Sequence, residues 1–266
     1  MKKSKTSLNP KISENGMTYY LDDFRDILPN LDNFQTVIVD PPYNINFDYK
    51  GGYKDNLDSE DYKNLIKDIL NLSYKATKDE ASFFIILPPL IIGELFETIK
   101  ATEWRVHQWI SWVYPSNVGH SKNKFTTAHR GVLWLTKDNP KIYIDRVSQP
   151  YKNPTDKRVK KLIESGKDGT NLYDWWDHVV DAEVWQEINL VKNTSADKAL
   201  YVNQIPTKLL RKLILVTTNP KQKVLDPMCG TGSTLIAARR EGRVGFGIDQ
   251  NKDLVKLWKS NVKEAF

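Results

Sequence analysis

Apolar positions recur along this chain in two rhythms. The first is a set of short, continuous runs with the form of buried parallel strands: Thr36-Val37-Ile38-Val39, Phe83-Phe84-Ile85-Ile86-Leu87, Val224-Leu225 and Gly245-Phe246-Gly247-Ile248. Thr18-Tyr19-Tyr20-Leu21 reads as a further strand, closing on Asp22 and Asp23, with a helical turn after it through Ile27. Val106 to Val113 and Val132 to Leu135 read as strands on either side of a polar loop from Pro115 to Arg130. The second rhythm is helical. Asp58 or Ser59 caps a helix whose Tyr62, Leu65, Ile66, Ile69 and Leu70 share one face. Ile91 to Ile99 follows Pro88 and Pro89 as another helix. Pro206 suits the first turn of a third, with Leu209, Leu210, Leu213, Ile214 and Val216 as its buried face, and Ser233 to Arg240 is a fourth. Strands alternating with helices predict an α/β protein with a doubly wound sheet.

The alternation breaks between Asn139 and Ala199. Here Lys152, Lys157, Arg158, Lys160 and Lys161 precede Tyr173, Trp175, Trp176 and Trp185, with turn signals at Gly166 and Gly169. The chain therefore divides into residues 1–137, an inserted segment 138–200, and 201–266. Acids around the tryptophans (Asp174, Asp177, Asp181 and Glu183) suit packing against the host domain. His178 beside Asp177 has no second histidine or cysteine at ligand spacing, so no metal site is expected.

Charge adds a partner class. The 266 residues carry a net charge of +6 with pI near 9.1, which suits a polyanion. Trp104 to Lys137 holds five basic residues and no acid, and Lys198 to Leu225 is also free of acids. Between Arg146 and Lys167, seven basic residues face only Asp156 and Glu164. A charge run is commonly a solvated face, but three acid-poor stretches together suggest a phosphate-binding one. The loop residues Ser116, Asn117, Gly119, His120, Ser121, Lys122, Asn123 and Lys124 are small, polar or basic, and suit a duplex backbone. Met1 to Lys11, with four lysines, reads as a mobile tail, and Asn44 to Leu57 as a mobile segment. No apolar stretch is long enough to span a membrane, and the single cysteine excludes an internal disulfide. A cytoplasmic protein is the expectation.

Candidate chemistry sits where strands end. Asp40-Pro41-Pro42-Tyr43 closes the Val39 strand, and two prolines cannot continue a ladder. An acid, rigid carbonyls and an aromatic ring are thereby placed at a strand mouth, where α/β sheets hold ligands. Strand followed by proline turn is the plainer account of Asp40 alone. The tetrad offers more: a carboxylate and a carbonyl to accept both N–H bonds of an aromatic amine, and a ring on which an extruded base can stack. The second candidate is Asp226-Pro227-Met228-Cys229-Gly230-Thr231-Gly232-Ser233, after the Leu225 strand, with Asp249 closing the next one. Glycines admit a ligand close to the backbone, and Asp249 is placed to accept ribose hydroxyls. A dinucleotide site is the competing reading. It lacks its third glycine, Leu235 standing there, and Asp226 suits a cationic amino-acid end better than a pyrophosphate.

These motifs resemble those of the beta class of DNA amino-methyltransferases, which methylate adenine at N6 or cytosine at N4 and often accompany restriction enzymes. The tetrad is similar to the family's catalytic motif. Asp226 to Thr234 resembles its Asp-Pro-Phe-x-Gly-Ser-Gly-Thr-Thr element, with Met228 for phenylalanine. Asp23-Phe24-Arg25-Asp26-Ile27-Leu28 resembles its Gly-Asp-x-x-Glu-x-Leu element, with Asp22 for glycine. Asn203-Gln204-Ile205-Pro206 falls where the family has Thr-Gln-Lys-Pro, with Ile205 for the lysine.

The resemblance implies a seven-stranded Rossmann-like methyltransferase sheet with circularly permuted motif order and an inserted target-recognition segment. It puts the Thr18 strand beside the Asp249 strand, and the Val39 and Leu225 strands side by side at the switch point. It assigns Asp40, Pro41, Pro42 and Tyr43 to catalysis. Asp23, Asn203, Gln204, Asp226, Pro227, Met228, Gly230, Gly232, Ser233 and Asp249 are assigned to S-adenosylmethionine, with Asp23 near its adenine. The implied reaction is N6 methylation of an adenine flipped out of a short specific sequence in double-stranded DNA. N4 methylation of cytosine is the alternative, and a nucleotide-cofactor dehydrogenase a more distant one. Carbon methylation of cytosine would need a thiolate, and Cys229 lies in the glycine turn instead. A homodimer and a cognate restriction endonuclease are admitted as further partners, and no membrane.

Overall fold

The computed structural model describes residues 10–47, 55–113, 122–167, 169–176 and 205–265. In chain order the elements are β1 (Ile12–Glu14), β2 (Met17–Leu21), α1 (Phe24–Ile27), β3 (Phe34–Val39), α2 (Ser59–Ala76) and β4 (Thr77–Leu87). Then come α3 (Pro89–Lys100), β5 (Arg105–Val113), β6 (His129–Thr136), β7 (Ser148–Gln149), α4 (Lys157–Glu164), β8 (Thr170–Asn171) and β9 (Trp175–Trp176). The last part holds α5 (Thr207–Thr217), β10 (Lys223–Asp226), α6 (Ser233–Arg240), β11 (Val244–Asp249) and α7 (Leu254–Ala265).

One nine-stranded sheet, in the order β1-β2-β11-β10-β3-β4-β6-β5-β9, organises the molecule, and β7 pairs with β8 apart from it. The expected seven strands are its body. Two short edge strands extend it, β1 against β2 and β9 against β5. Residues 139–199 were expected to break the alternation, and within them Trp175–Trp176 joins the main sheet. β2, β11, β10, β3 and β4 run parallel, while β6 is reversed between β4 and β5. The expected neighbours are found: β2 lies beside β11, and β10 beside β3.

Both faces of the central strands are covered, which is why those segments are continuously apolar. All six residues of β3 are buried. Val37 and Val39 pack with Phe83, Ile85 and Leu87 under α2 and α3; Ile38, Phe84 and Ile86 point the other way, onto Leu209, Leu213 and Ile214 of α5. Asp58 caps α2, its carboxylate accepting from the backbone N–H groups of Glu60 (3.0 Å) and Asp61 (2.9 Å). The face named from periodicity is the buried one.

Two boundaries differ from expectation. β4 starts at Thr77 instead of Phe83, because Thr77 pairs with Phe34 and an irregular polar stretch joins it to the pairing that resumes at Ser82, with no apolar signal to mark it. The Pro115–Arg130 loop also ends earlier, since His129 and Arg130 belong to β6 and pair with Val113 and Trp112. α4 buries none of its residues and presents Lys157, Arg158, Lys160 and Lys161 to solvent. No helix among the described residues is long and apolar enough to cross a membrane.

Candidate active site

Parallel strands deliver their carboxyl ends to one edge of the sheet, and four ends here carry acids. Asp22 and Asp23 follow β2, Asp40 follows β3, Asp226 ends β10 and Asp249 ends β11. Together they border a cavity of about 240 Å³, whose wall also includes Pro42, Tyr43, Pro227, Met228, Gly230 and Ser233. Pro41 and Gly232 are set back from it. Asn203 and Gln204 lie outside the described residues, as do His178, Trp185 and loop residues Ser116, Asn117, Gly119, His120 and Ser121. Lys122, Asn123 and Lys124 are exposed.

The two glycines of the turn differ in purpose. Gly230 has φ +51° and no atom within 4 Å of where a Cβ would project, so its backbone is bare toward the cavity. Gly232 has φ +85°, and a Cβ there would lie 2.4 Å from the Trp258 indole. The expectation of ligand approach thus fits Gly230. Gly232 instead lets α7 pack against the start of α6.

Enclosure shapes the acids' chemistry. Asp249 accepts from the Gly230 N–H at 2.9 Å and the Asn251 N–H at 2.8 Å, which hold its carboxylate in one orientation and partly offset the upward push of burial on its pKa. Asp226 is pushed up to about 7, chiefly by burial, with Asp249 and Asp40 adding to it; the Thr234 side chain and the Met228 N–H (3.2 Å) oppose it. Asp23 caps α1, accepting from the Arg25 N–H at 2.8 Å, and its other oxygen pairs with the Arg25 guanidinium at 3.2 Å. Burial pushes the Cys229 thiol well up, so no thiolate nucleophile is present in the turn.

The tetrad is held from several sides. Asp40 accepts from the Tyr43 hydroxyl at 2.6 Å, and Nη1 of Arg130 lies 3.9 Å from its other oxygen. Its side chain keeps 22% exposure, toward the cavity, and is otherwise enclosed. Burial pushes the Asp40 carboxyl up to about 6 against the pull of Arg130 and Tyr43. The Pro42 carbonyl accepts from the Tyr62 hydroxyl at 2.9 Å, which pins the turn to α2. Beyond it, Asp55 gathers three backbone N–H groups, of Asn44 (2.7 Å), Ile45 (3.1 Å) and Phe47 (2.9 Å). Asn44 and Asn46 take left-handed φ of 57° and 59°, and the described part of the segment expected to be mobile is tightly hydrogen-bonded. Sequence reading missed Tyr62, Asp55 and Arg130. Tyr62 reads as one of the residues on the apolar face of its helix and Arg130 as the end of a polar loop, and nothing in the pattern singles out Asp55.

A DNA methylase profile of the N6/N4 type matches residues 34–260. The chain belongs to the N6/N4 DNA methylase family. It is similar to the Type II methyltransferase M1.MboII of Moraxella bovis, 28% identical over 248 residues, covering 88% of this chain and 90% of that protein. It is also similar to M.HpaI of Haemophilus parainfluenzae, 26% identical over 245 residues, covering 90% of this chain and 72% of that one. Among solved structures, the cytosine-N4-specific PvuII DNA methyltransferase superposes with a TM-score of 0.65 at 16% identity, covering 94% of this chain and 90% of its own. A DNA modification methylase from Thermus thermophilus, complexed with S-adenosylmethionine, superposes with a TM-score of 0.61 at 18% identity over 94% and 95%. This DNA methyltransferase therefore has the sheet its motifs implied, and the dehydrogenase alternative falls away.

Proposed function

We propose that this DNA methyltransferase transfers a methyl group from S-adenosylmethionine to N6 of an adenine turned out of a short specific site in double-stranded DNA. The observation that carries this is the meeting of Asp40 and Asp226 in one cavity, from adjacent strands widely separated in sequence. S-adenosylmethionine supplies an electrophilic methyl group on a sulfonium. The donor set fits such a ligand: one buried and two half-buried carboxylates favour a ligand with an ammonium and a sulfonium, and the bare Gly230 backbone gives room beside them.

In this reading Asp249 holds the ribose hydroxyls, Asp226 the amino-acid end, and Asp23 lies by the adenine. Pro227, Met228 and Ser233 complete the wall; Asn203 and Gln204 are assigned to the same ligand by motif alone. An exocyclic amine is a poor nucleophile because its lone pair is spread into the ring. Asp40 accepts one of its N–H bonds. A backbone carbonyl of the tetrad is the second acceptor; that of Pro42, in the cavity wall, takes the Tyr62 hydroxyl on one of its two lone pairs. Both acceptors would draw the lone pair out of the ring; as the N–C bond formed, the sulfonium S–C bond would break to leave a neutral thioether, and the amine proton would pass to the Asp40 carboxylate and from it to solvent. The Tyr43 ring stacks on the base, as flipped bases require. Segment 138–200 reads the target sequence, with the exposed cations of α4 on phosphates, and the Type II relatives imply a paired restriction endonuclease.

Cytosine N4 is the second reading, since the same acceptors serve either amine and the PvuII neighbour is cytosine-N4-specific. Incubation with tritiated cofactor and unmethylated DNA, followed by nucleoside analysis, separates them. Label in N6-methyl-2′-deoxyadenosine is expected. Label in N4-methyl-2′-deoxycytidine selects the second reading, and unlabelled DNA contradicts both.

A further inference from the structure

We propose that Arg130 is a positioning residue for the methyl transfer, holding the Asp40 carboxylate ionised and turned toward the cavity. This rests on the assignment of Asp40 as the amine acceptor. Arg130 is the second residue of β6. Because β6 is reversed, its first residues rise at the same sheet edge as the carboxyl ends of β3 and β4. The side chain, 12% exposed, reaches across that edge to Asp40.

Contacts with three described residues help to place it. Nη1 is 3.9 Å from Asp40 Oδ2, and the guanidinium carbon lies 5.0 Å from the Tyr43 ring centroid and 5.7 Å from that of Trp112. Trp112 is the cross-strand partner of Arg130 on β5, so the stem is held as well as the head. A guanidinium suits this role: it stays charged at every accessible pH and lies readily against aromatic faces. Asp40 is thereby restrained at both oxygens, by the Tyr43 hydroxyl on Oδ1 and by the cation on Oδ2.

The charge matters because Asp40 is otherwise unfavourably placed to keep it. Of the other charged groups in the cavity wall, Asp226 ends the adjacent strand β10 and is itself raised in part by Asp40, Asp249 ends β11 beyond it, and Asp22, Asp23 and Arg25 follow β2 further along the sheet. Leu65 of α2, Ile86 of β4 and Leu210 of α5 contribute only apolar surface. Arg130 is the cation that offsets this enclosure, with Tyr43 as its hydrogen-bonding companion. A protonated Asp40 would keep one acceptor oxygen and turn the other into a donor. Facing an amine, which also donates, that is the wrong complement.

The test compares wild type, Arg130→Gln and Arg130→Lys as full chains. Single-turnover methylation of duplex DNA is followed from pH 5.5 to 9, and the Asp40 carboxyl is titrated by NMR on aspartate-labelled protein, assigned with Asp40→Asn. Loss of the neighbouring cation should raise the Asp40 midpoint by about one pH unit. Methylation by Arg130→Gln should accordingly fall about fivefold near pH 6 and recover toward wild type near pH 9. Arg130→Lys should restore most of the profile. An unmoved midpoint, or a rate lowered by the same factor at every pH, overturns the proposal. Wild type that methylates no DNA while the midpoint still moves would fail the functional reading and leave the charge effect standing. Should Arg130→Gln not fold, Arg130→Lys and Tyr43→Phe carry the test. Tyr43→Phe removes the other support of Asp40 and must move the midpoint in the same direction.

Discussion

The role proposed for Asp249 depends on the backbone around it. Two N–H groups, from Gly230 and Asn251, fix its carboxylate at the cavity edge. In that role it accepts from the ribose hydroxyls, so replacing it with alanine should weaken S-adenosylmethionine binding by about 1.5–3 kcal/mol. Calorimetry on the folded variant reads this directly, and unchanged affinity would take Asp249 out of the site. At this scale the sequence was most informative where an acid ends a strand. Asp40, Asp226 and Asp249 each follow an apolar run, so their place at the sheet edge could be read in one dimension. Arg130, Tyr62 and Asp55 could not. Arg130 meets Asp40 only because a reversed strand returns to that edge, and Asp55 binds backbone N–H groups, which no side-chain pattern announces.

Elements were legible to the extent that their burial is periodic. α2 buries the face its apolar spacing marks, and α6 spans the residues expected of it. β4 was seen only in its buried half, because Thr77 to Glu80 is polar and joins the strand through Thr77 opposite Phe34, ahead of an irregularity in the pairing. The glycine turn gives a test of element packing. Both Gly230 and Gly232 have left-handed φ, so alanine at either pays a backbone cost of order 1 kcal/mol. Only Gly232 also has the Trp258 indole 2.4 Å from the new methyl position. Gly232→Ala should therefore unfold at distinctly lower denaturant than Gly230→Ala, as tryptophan fluorescence would follow. Equal midpoints would mean that the contact between α6 and α7 gives way freely.

The whole molecule carries a cost for gathering acids in one enclosed place. Asp40 and Asp226 are raised to about 6 and about 7 in the folded chain, so the fold binds their protons more tightly than the unfolded chain does. Their protonation stabilises the ligand-free protein fully below about pH 4, the range of an ordinary aspartate. That contribution is lost as pH rises through 6 and 7. Asp226→Asn removes the larger part of this dependence. Measured without cofactor, the melting temperature of wild type should fall relative to Asp226→Asn between pH 4 and 8, and parallel curves would contradict the enclosure. A cationic ligand repays that cost by its charge, which is why a site built of carboxylates suits S-adenosylmethionine.

The central claim is that Asp40 acts on the target amine and not on the binding of either ligand. Single-turnover methyl transfer by Asp40→Ala, with cofactor and DNA affinities measured on the same preparation, tests it most directly. Both affinities should stay near wild type while transfer slows by a factor of about a hundred or more, as when other positioned polar groups are lost. Transfer at the wild-type rate in Asp40→Ala would contradict the mechanism.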